Sequence, residues 1–514
     1  MRRTISCGWV ALFAATLGLA SLVHAAEVPS RSIHRLSLNE AIVTALQNNR
    51  DLQIERLNPA IARATLGAAY GIYDPVFLGD VRRENDTETG GFDPANFSAD
   101  AVYEAHSTIG NAGIFGALPS GMTYSITGNY AHSEGTRNSL DFDSYRAFSG
   151  VTARQPLLRN FWIDAGRYAI KINKRNVKLS DLGVRFIAMD VINRVQQAYY
   201  EMAFAHEAQR VQAQLVNSRR EMLSGTRRKI QQGVATTPDE QLAQAQLSTA
   251  EAGLNATLTS VALAENLLRT AMGDSFTNQL HTSWMPADYL LLLPAETDLR
   301  QSWQRGIQSR PDLAQLRVEL EKANLSVRYR HNQLFPTLDV MGSYGRRGSS
   351  TDQDVAPFTP RASLGDTLGQ IGAGDAPRDM VGIIFSVPLS RQAERNNYKG
   401  AKHLRGQSEL ILKQKEELVL REISDAFHAA RTNYERAKAA RQAVDASQGA
   451  LAAEQKRLAG GTSSIFFVLQ LQNDLVSAQL TEVRARADYN KALAQLRFTE
   501  GTSLEGHHVI LDPP

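Results

Sequence analysis

The 514-residue sequence holds a single cysteine, Cys7, which falls within the first 25 residues. No disulfide can form inside one copy of such a chain. Beyond residue 25 no apolar run approaches the ~20 residues that a membrane-crossing helix requires, so any membrane crossing must be made with strands. Charge of one sign is also lacking. The 56 basic and 53 acidic residues leave a net +3 and are interspersed along helical stretches, which excludes the concentrated basic face of a nucleic-acid binder. Proline is missing from 167–232 and again from 389–512, so little interrupts helix there.

What the sequence does have begins with Arg2 and Arg3 ahead of an apolar run over 9–23 and the small-residue site Val23-His24-Ala25. This pattern reads as a secretory signal peptide, 1–25. The short Ala/Gly-rich run with its cleavage site favours removal over retention as an anchor. Cys7 leaves with the signal, and no lipid-attachment cysteine follows it. The expected place of work is outside the cytoplasm.

An internal repeat organises the remainder. The stretch "LQNNRDLQIERLNPAIARATLGAAYGIYDP" closes at Pro75 and "IQSRPDLAQLRVELEKANLSVRYRHNQLFP" at Pro336, with Asp51/Asp312, Leu52/Leu313 and Ala62/Ala323 in register. "VTARQPLLR" around Pro156 corresponds to "IIFSVPLSR" around Pro388, and 191–273 matches 419–501 without insertion. The expected division is therefore 26–290 and 291–514. The first half holds a helix 36–75, a strand region 76–157, a long helical hairpin 165–273 with its tip near 233, and a connector 274–290. The second holds a helix 298–336, a strand region 336–389, a hairpin 393–501 with its tip near 461, and a tail 502–514. In the first hairpin Ala243, Leu247, Ala250, Leu254, Thr257, Val261, Ala264 and Leu268 step by four and three, a coiled-coil seam. The second keeps Leu471, Leu475, Ala478, Ala485, Ala492 and Leu496, although Glu482 breaks it.

The breaks fall at "KIQQGVATT" and "RLAGGTSSI". Gly233 and Gly461 can take the positive φ that ends a helix, and Thr236-Thr237 or Ser463-Ser464 can cap the returning one. Helix termination explains the turns. It leaves open why Lys229-Ile230 and Arg457-Leu458 put a cation and an aliphatic at the same place in both tips, which favours a partner-docking role.

Between each closing proline and the next Pro-Leu the spacing changes to period two. Tyr124 and Ile126 share a face opposite Thr123 and Ser125; Leu338 and Val340 alternate with Asp339, and Ile383 and Phe385 continue the pattern. Stretches 131–145 and 345–379, rich in Gly, Asp, Ser and Thr, read as long loops, and "GALPSGM" (116–122) is a candidate turn for one more hairpin. Apolar-out, polar-in strands suit an outer-membrane barrel, with a small soluble sandwich as the alternative. About four strands are evident, fewer than the roughly eight of the smallest single-chain barrels. Several copies must then pool strands.

With the duplicated plan, the "PLLR" and "VPLS" strand ends and the paired tips together, the chain resembles the TolC-like outer membrane efflux proteins over nearly all of 26–514. That resemblance implies a mainly α fold with membrane β: a homotrimer with four strands per protomer in a twelve-stranded barrel set in outer-membrane lipid of a Gram-negative bacterium, continued by an α-helical coiled-coil barrel through the periplasm. It implies docking to a periplasmic adaptor (membrane fusion) protein and an inner-membrane transporter, with passive conduction for efflux or type I secretion, no cofactor and no enzyme activity. The family's docking pattern carries over to Arg457, Leu458, Gly461 and Ser464, and to Lys229, Ile230, Gly233 and Thr236. Tyr124, Ile126, Leu338, Val340, Ile383 and Phe385 are the lipid-facing candidates.

The sequence departs from the family at the periplasmic gate. Positions six and nine beyond the second tip glycine, where many relatives have aspartates, are Phe467 and Gln470, while the first tip keeps Asp239. Phe466 and Phe467 are candidates for an aromatic closure, against the alternative that both rings pack between neighbouring helices. Enzyme motifs do poorly. "HEAQR" lacks the second histidine of a zinc protease motif, leaving His206 for a solvated helix face; His507-His508 reads as polar tail; "GNAGIFG" has the wrong spacing for a phosphate loop. The rival reading is a periplasmic coiled-coil adaptor or scaffold without a barrel.

Overall fold

The computed structural model describes residues 32–88, 92–93, 98–99, 103–137, 140–274, 282–294, 298–353 and 361–507. The expected signal peptide and His508 lie outside them. The elements run β1 (Ser32–Leu36), α1 (Leu38–Asn48), α2 (Arg50–Tyr70), β2 (Val76–Glu88), the two-residue strands β3 (Phe92–Asp93) and β4 (Ser98–Ala99), β5 (Tyr103–Ala117), β6 (Thr123–Arg137), β7 (Leu140–Pro156), α3 (Ala165–Gln231) and α4 (Thr237–Met272). The second half follows with β8 (Thr282–Pro286), α5 (Leu299–Ser309), α6 (Pro311–Asn332), β9 (Thr337–Gln353), α7 (Leu364–Ala373), β10 (Pro377–Ser386), α8 (Gln392–Ala459) and α9 (Ile465–Glu500).

The two longest helices, α3 and α8, have 67 and 68 residues, or ~100 Å each at ~1.5 Å per residue. Each folds back on a 36-residue partner. The seam read from the first hairpin is the one that packs: Ala243, Leu247 and Ala250 are buried with Val216 and Leu223, and Val261, Ala264 and Leu268 join the main core with Ile192, Val195 and Met202. Small side chains at alternate positions let the axes approach. In the second hairpin Glu482 is buried and paired with Arg486 and Arg441, so the break in that seam is a satisfied charge.

Apolar seams link each hairpin, whereas polar contacts join a small apolar cluster of Ala203 with Val483 and Ala487 in linking the repeats. Along α3 and α9, Asn193 Nδ2 donates to Gln495 Oε1 (2.9 Å), Gln197 Nε2 to Lys491 O (2.9 Å), and Glu201 takes Arg484 (2.9 Å) and Lys491. A parallel ladder of β1 on β8 closes the first core, with Trp284 buried beneath it. The sequence reading missed this ladder. It also placed His206 on a solvated face, whereas His206 is half-buried with Nε2 2.9 Å from Trp284 O.

Three further expectations are corrected. The single helix 36–75 is two, broken at Asn49, whose side chain accepts from Leu52 N–H. Likewise 298–336 breaks at Arg310 ahead of Pro311, because the residue before proline leaves the helical region. Stretches 131–145 and 345–379 are not long loops: β6 and β7 pair through Arg137 and Leu140, β9 continues to Gln353, and α7 occupies part of the second stretch. Polar, glycine-rich composition looked like loop, but backbone pairing does not need apolar side chains.

The third correction is the strand count. Among the described residues the sheet has six strands, not four, in the order β10-β9-β7-β6-β5-β2, and every pairing is antiparallel. The turn foreseen at "GALPSGM" joins β5 to β6. Its Gly121 takes φ +87°, which suits glycine alone. Where β10 ends, α7 takes over the edge of β9: the Gln370 amide exchanges hydrogen bonds with Ser349 N–H and C=O, and Arg346 Nη1 reaches the carbonyls of Ile371 and Gly372.

Candidate functional site: hairpin tips and the wall of the sheet

Both tips are built alike. Gly233 N–H donates to Ile230 O and Val234 N–H to Lys229 O, 2.9 Å each; Gly461 N–H donates to Leu458 O (3.2 Å) and Thr462 N–H to Arg457 O (3.0 Å). Both glycines have φ +73°. These bond pairs form the Schellman closure, with glycine in the left-handed position. The cation and the aliphatic therefore occupy the last helical turn of each ascending helix. Lys229, Gly233, Thr236, Arg457, Gly461 and Ser464 are exposed, and Ile230 and Leu458 half-buried. Arg457 Nη1 is held 3.3 Å from Glu454.

The returning helices start differently. Asp239 Oδ2 accepts the Thr236 hydroxyl (2.6 Å) and backbone N–H (2.9 Å). Those two hydrogen bonds hold its carboxyl below the usual carboxylate range. Asp239 is thus engaged in capping α4. In the second tip Ser464 occupies the cap position without a side-chain bond, while the Ser463 hydroxyl turns back to Glu454. Phe466 and Phe467 follow, 57% and 54% exposed, with centroids 5.8 Å apart edge to face. Neither ring is packed inside the protomer. Gln470 is exposed too, and Val468 and Leu469 between them are buried.

A residue that the sequence reading missed lies below the tips. Arg219 is 2% exposed and donates to three neutral acceptors on α9: Gln472 Oε1 (2.8 Å), Asn473 Oδ1 (2.6 Å) and Leu469 O (3.2 Å). Burial pushes its guanidinium pKa down. Its neighbour Arg220 is solvent-facing and pairs with Glu251. Nothing local distinguishes the two arginines; only the position of α9 does. Bonds of this kind to a charged donor contribute about 1.5–3 kcal/mol, so Arg219 ties the two hairpins together where their tips begin.

In the sheet, pairing fixes the faces. Ile126 opposes Val151, Val151 opposes Tyr344, and Val340 opposes Ile383. Paired residues share a face and alternate ones along a strand do too, which places Tyr124, Ile126, Leu338, Val340, Ile383 and Phe385 all on one face with Phe77, Val81, Ile114 and Val381. Ile383 and Phe385 are 71% and 65% exposed. The opposite face carries Asp80, Arg82, Asn111, Thr127, Asn129, Thr152, Arg154 and Ser343. An apolar face of this kind cannot stay in water: α7 lies against it only at the outer end, over Arg346 and Gly348, and Phe77, Val81, Ile126, Val381, Ile383 and Phe385 stay exposed.

The sequence profile of the outer membrane efflux proteins matches residues 123–274 and 303–502, more than half of the chain. The chain belongs to that family. Outer membrane efflux protein BepC of Brucella suis is 23% identical over 71% of this chain and 74% of its own length. The proteases secretion protein PrtF of Dickeya chrysanthemi is 24% identical over 79% and 84%. Among solved structures, the CmeC outer membrane channel of Campylobacter jejuni superposes with a TM-score of 0.62, covering 91% of this chain and 86% of its own at 15% identity. The fold is that of the TolC-like outer-membrane channels. As a family member the chain is an outer-membrane efflux channel reaching into the periplasm; the adaptor or scaffold alternative falls with the apolar sheet.

Proposed function

We propose that three copies of this chain assemble side by side, their sheets closing into one barrel in outer-membrane lipid and their hairpins into one tube through the periplasm. The observation that carries this reading is the pair of unpaired sheet edges. β2 is exposed along its whole length and β10 nearly so, and an open edge cannot face lipid. Because β2 and β10 run in opposite directions, the β10 of one copy meets the β2 of the next antiparallel. The outward face is the apolar one. The tips at Lys229-Ile230-Gly233-Thr236 and Arg457-Leu458-Gly461-Ser464 dock a periplasmic adaptor, which joins the channel to an inner-membrane transporter. Conduction is passive, with Phe466, Phe467 and Gln470 of the three copies meeting around the axis of the entrance. Detergent extraction from outer membranes followed by mass measurement tests the assembly: a trimer is expected, and a stable monomer in mild detergent contradicts it.

A further inference from the structure

The two repeats give different numbers of strands to the wall. Between Pro75 and Pro156 run β2, β5, β6 and β7; between Pro336 and Pro388 run β9 and β10. The family match opens at Thr123, the first residue of β6, so β2 and β5 precede the matched region. They are nevertheless full members of the sheet. β2 pairs with β5 from Val76↔Phe115 to Glu88↔Tyr103, and β5 with β6 from Ala117↔Thr123 to Tyr103↔Arg137. Both faces also continue across them: Phe77, Val81 and Ile114 extend the apolar side, while Asp80, Arg82 and Asn111 extend the polar one.

The added strands are fastened at the junction with the helices. In the β5–β6 turn Leu118 N–H donates to Met122 O (2.8 Å) and Gly121 N–H to Leu118 O (2.9 Å). Arg167, in the first turn of α3 and buried, donates to Pro119 O (2.6 Å), to Asn160 O (2.8 Å) and to Asp164 (2.8 Å). A side chain at 121 would lie 2.8 Å from Arg167 Nη2. Ser120 and Gln155 bond each other twice. The turn therefore sits on the helical tube at the periplasmic rim, and the hairpin stands in the wall rather than projecting from it. Strands added as a pair preserve the alternation of direction, so the seam between copies stays antiparallel.

We infer that the assembled barrel has eighteen strands, with a bore about 1.5 times that of a twelve-stranded barrel built from two strands per repeat, since diameter grows roughly linearly with strand number. The outer mouth therefore admits, from the extracellular side, hydrophilic solutes too bulky for the narrower exit. Aromatic side chains on the polar face do little to refill the space, because they lie flat over glycines. The Phe148 ring covers Gly150 and Gly345, and Tyr103 stacks on Phe142 at 5.9 Å across Gly135. Four long helices per copy continue beneath six strands, so the conduit widens toward its outer mouth.

This inference rests on the trimeric reading, and the test separates the two. Neutral polyethylene glycols of graded size are added on the extracellular side only of trimers in planar bilayers, where entry of polymer lowers conductance without passing the periplasmic end. The comparison is a variant in which 76–121 is replaced by a Gly-Ser linker of about six residues, which retains the β6, β7, β9 and β10 pairings. Wild type should admit polymers about 1.5-fold larger in radius than the variant; equal cut-offs overturn the inference. If the variant does not assemble, counting strands in an electron cryomicroscopy map of the wild-type trimer decides, eighteen supporting and twelve refuting. A non-trimeric mass refutes the oligomer reading instead.

Discussion

Among the described residues the first repeat gives four strands to the six-stranded sheet and the second gives two, yet below them 191–273 and 419–501 run residue for residue without insertion. The constraint differs in kind. A helix inside a coiled-coil tube touches neighbours along its whole length, and one inserted residue turns every later side chain by about 100°. A barrel accepts a pair of strands at its edge without disturbing any other pairing. The tips show the same contrast on a smaller scale. Their Schellman closures are the same to within a few tenths of an ångström, while the returning helices open on a capping carboxylate, Asp239, in one and on two exposed rings, Phe466 and Phe467, in the other.

The shared part can be broken first. Gly461→Pro and Gly233→Pro each ask proline, fixed near φ −65°, to take φ +73°, and each removes a closing hydrogen bond, at a local cost of about 3 kcal/mol or more. Export should fall to background with trimer yield unchanged, because the tips lie ~100 Å of helix away from the sheet. Normal export in both would show that tip geometry does not matter for docking.

The strand regions are sharpened by opposite faces of β10. Ile383→Arg puts a cation on the apolar face, and near the bilayer midplane that costs about 2–4 kcal/mol in each copy. Met380→Arg puts one on the polar face. Trimer yield in outer membranes should collapse for the first and stay near wild type for the second; similar yields would mean that the faces are misassigned. Phe385 is one residue from the end of β10, so Phe385→Arg should have the smaller effect of a site nearer the interface.

At the entrance, Phe467→Ala trimers reconstituted without adaptor should carry several-fold more current if converging rings close the tube. An unchanged closed channel would return both rings to packing against neighbouring helices.

The smallest effect separates the tips by pH. Asp239 has its pKa depressed by hydrogen bonds from Thr236, so its contribution is complete above the ordinary carboxylate pKa of about 4 and is lost as pH falls through the lower folded value. Hydrogen exchange in the first turn of α4 should quicken on acidification. The first turn of α9, with no acidic residue there, serves as the control, and equal quickening would remove Asp239 from the cap.

Much of this was legible in the sequence because it is periodic. Heptad spacing gave the seam of the first hairpin, and repetition gave both tips with their glycines. Alternation likewise nominated six side chains that pairing then set on one face. What escaped was set by distance or by backbone alone. β1 and β8 are five-residue strands some 250 positions apart; the outer half of β9, 345–353, is Gly, Arg, Ser, Thr, Asp and Gln and carries no apolar signal of its own, although it pairs with β7. Arg219 became visible only once α9 lay beside it. The break at Arg310-Pro311 was the one miss with a clear local signal.

The central claim, that copies join through β10 of one and β2 of the next, can be tested by cross-linking, since Cys7 in the expected signal is the sole native cysteine. Ile383→Cys is combined in turn with single cysteines at Phe77, Leu78, Gly79, Asp80 and Val81, and membranes are oxidised before denaturing electrophoresis. At least one pair should yield covalent trimers that neither single cysteine gives. Monomers alone across the whole scan would contradict the account.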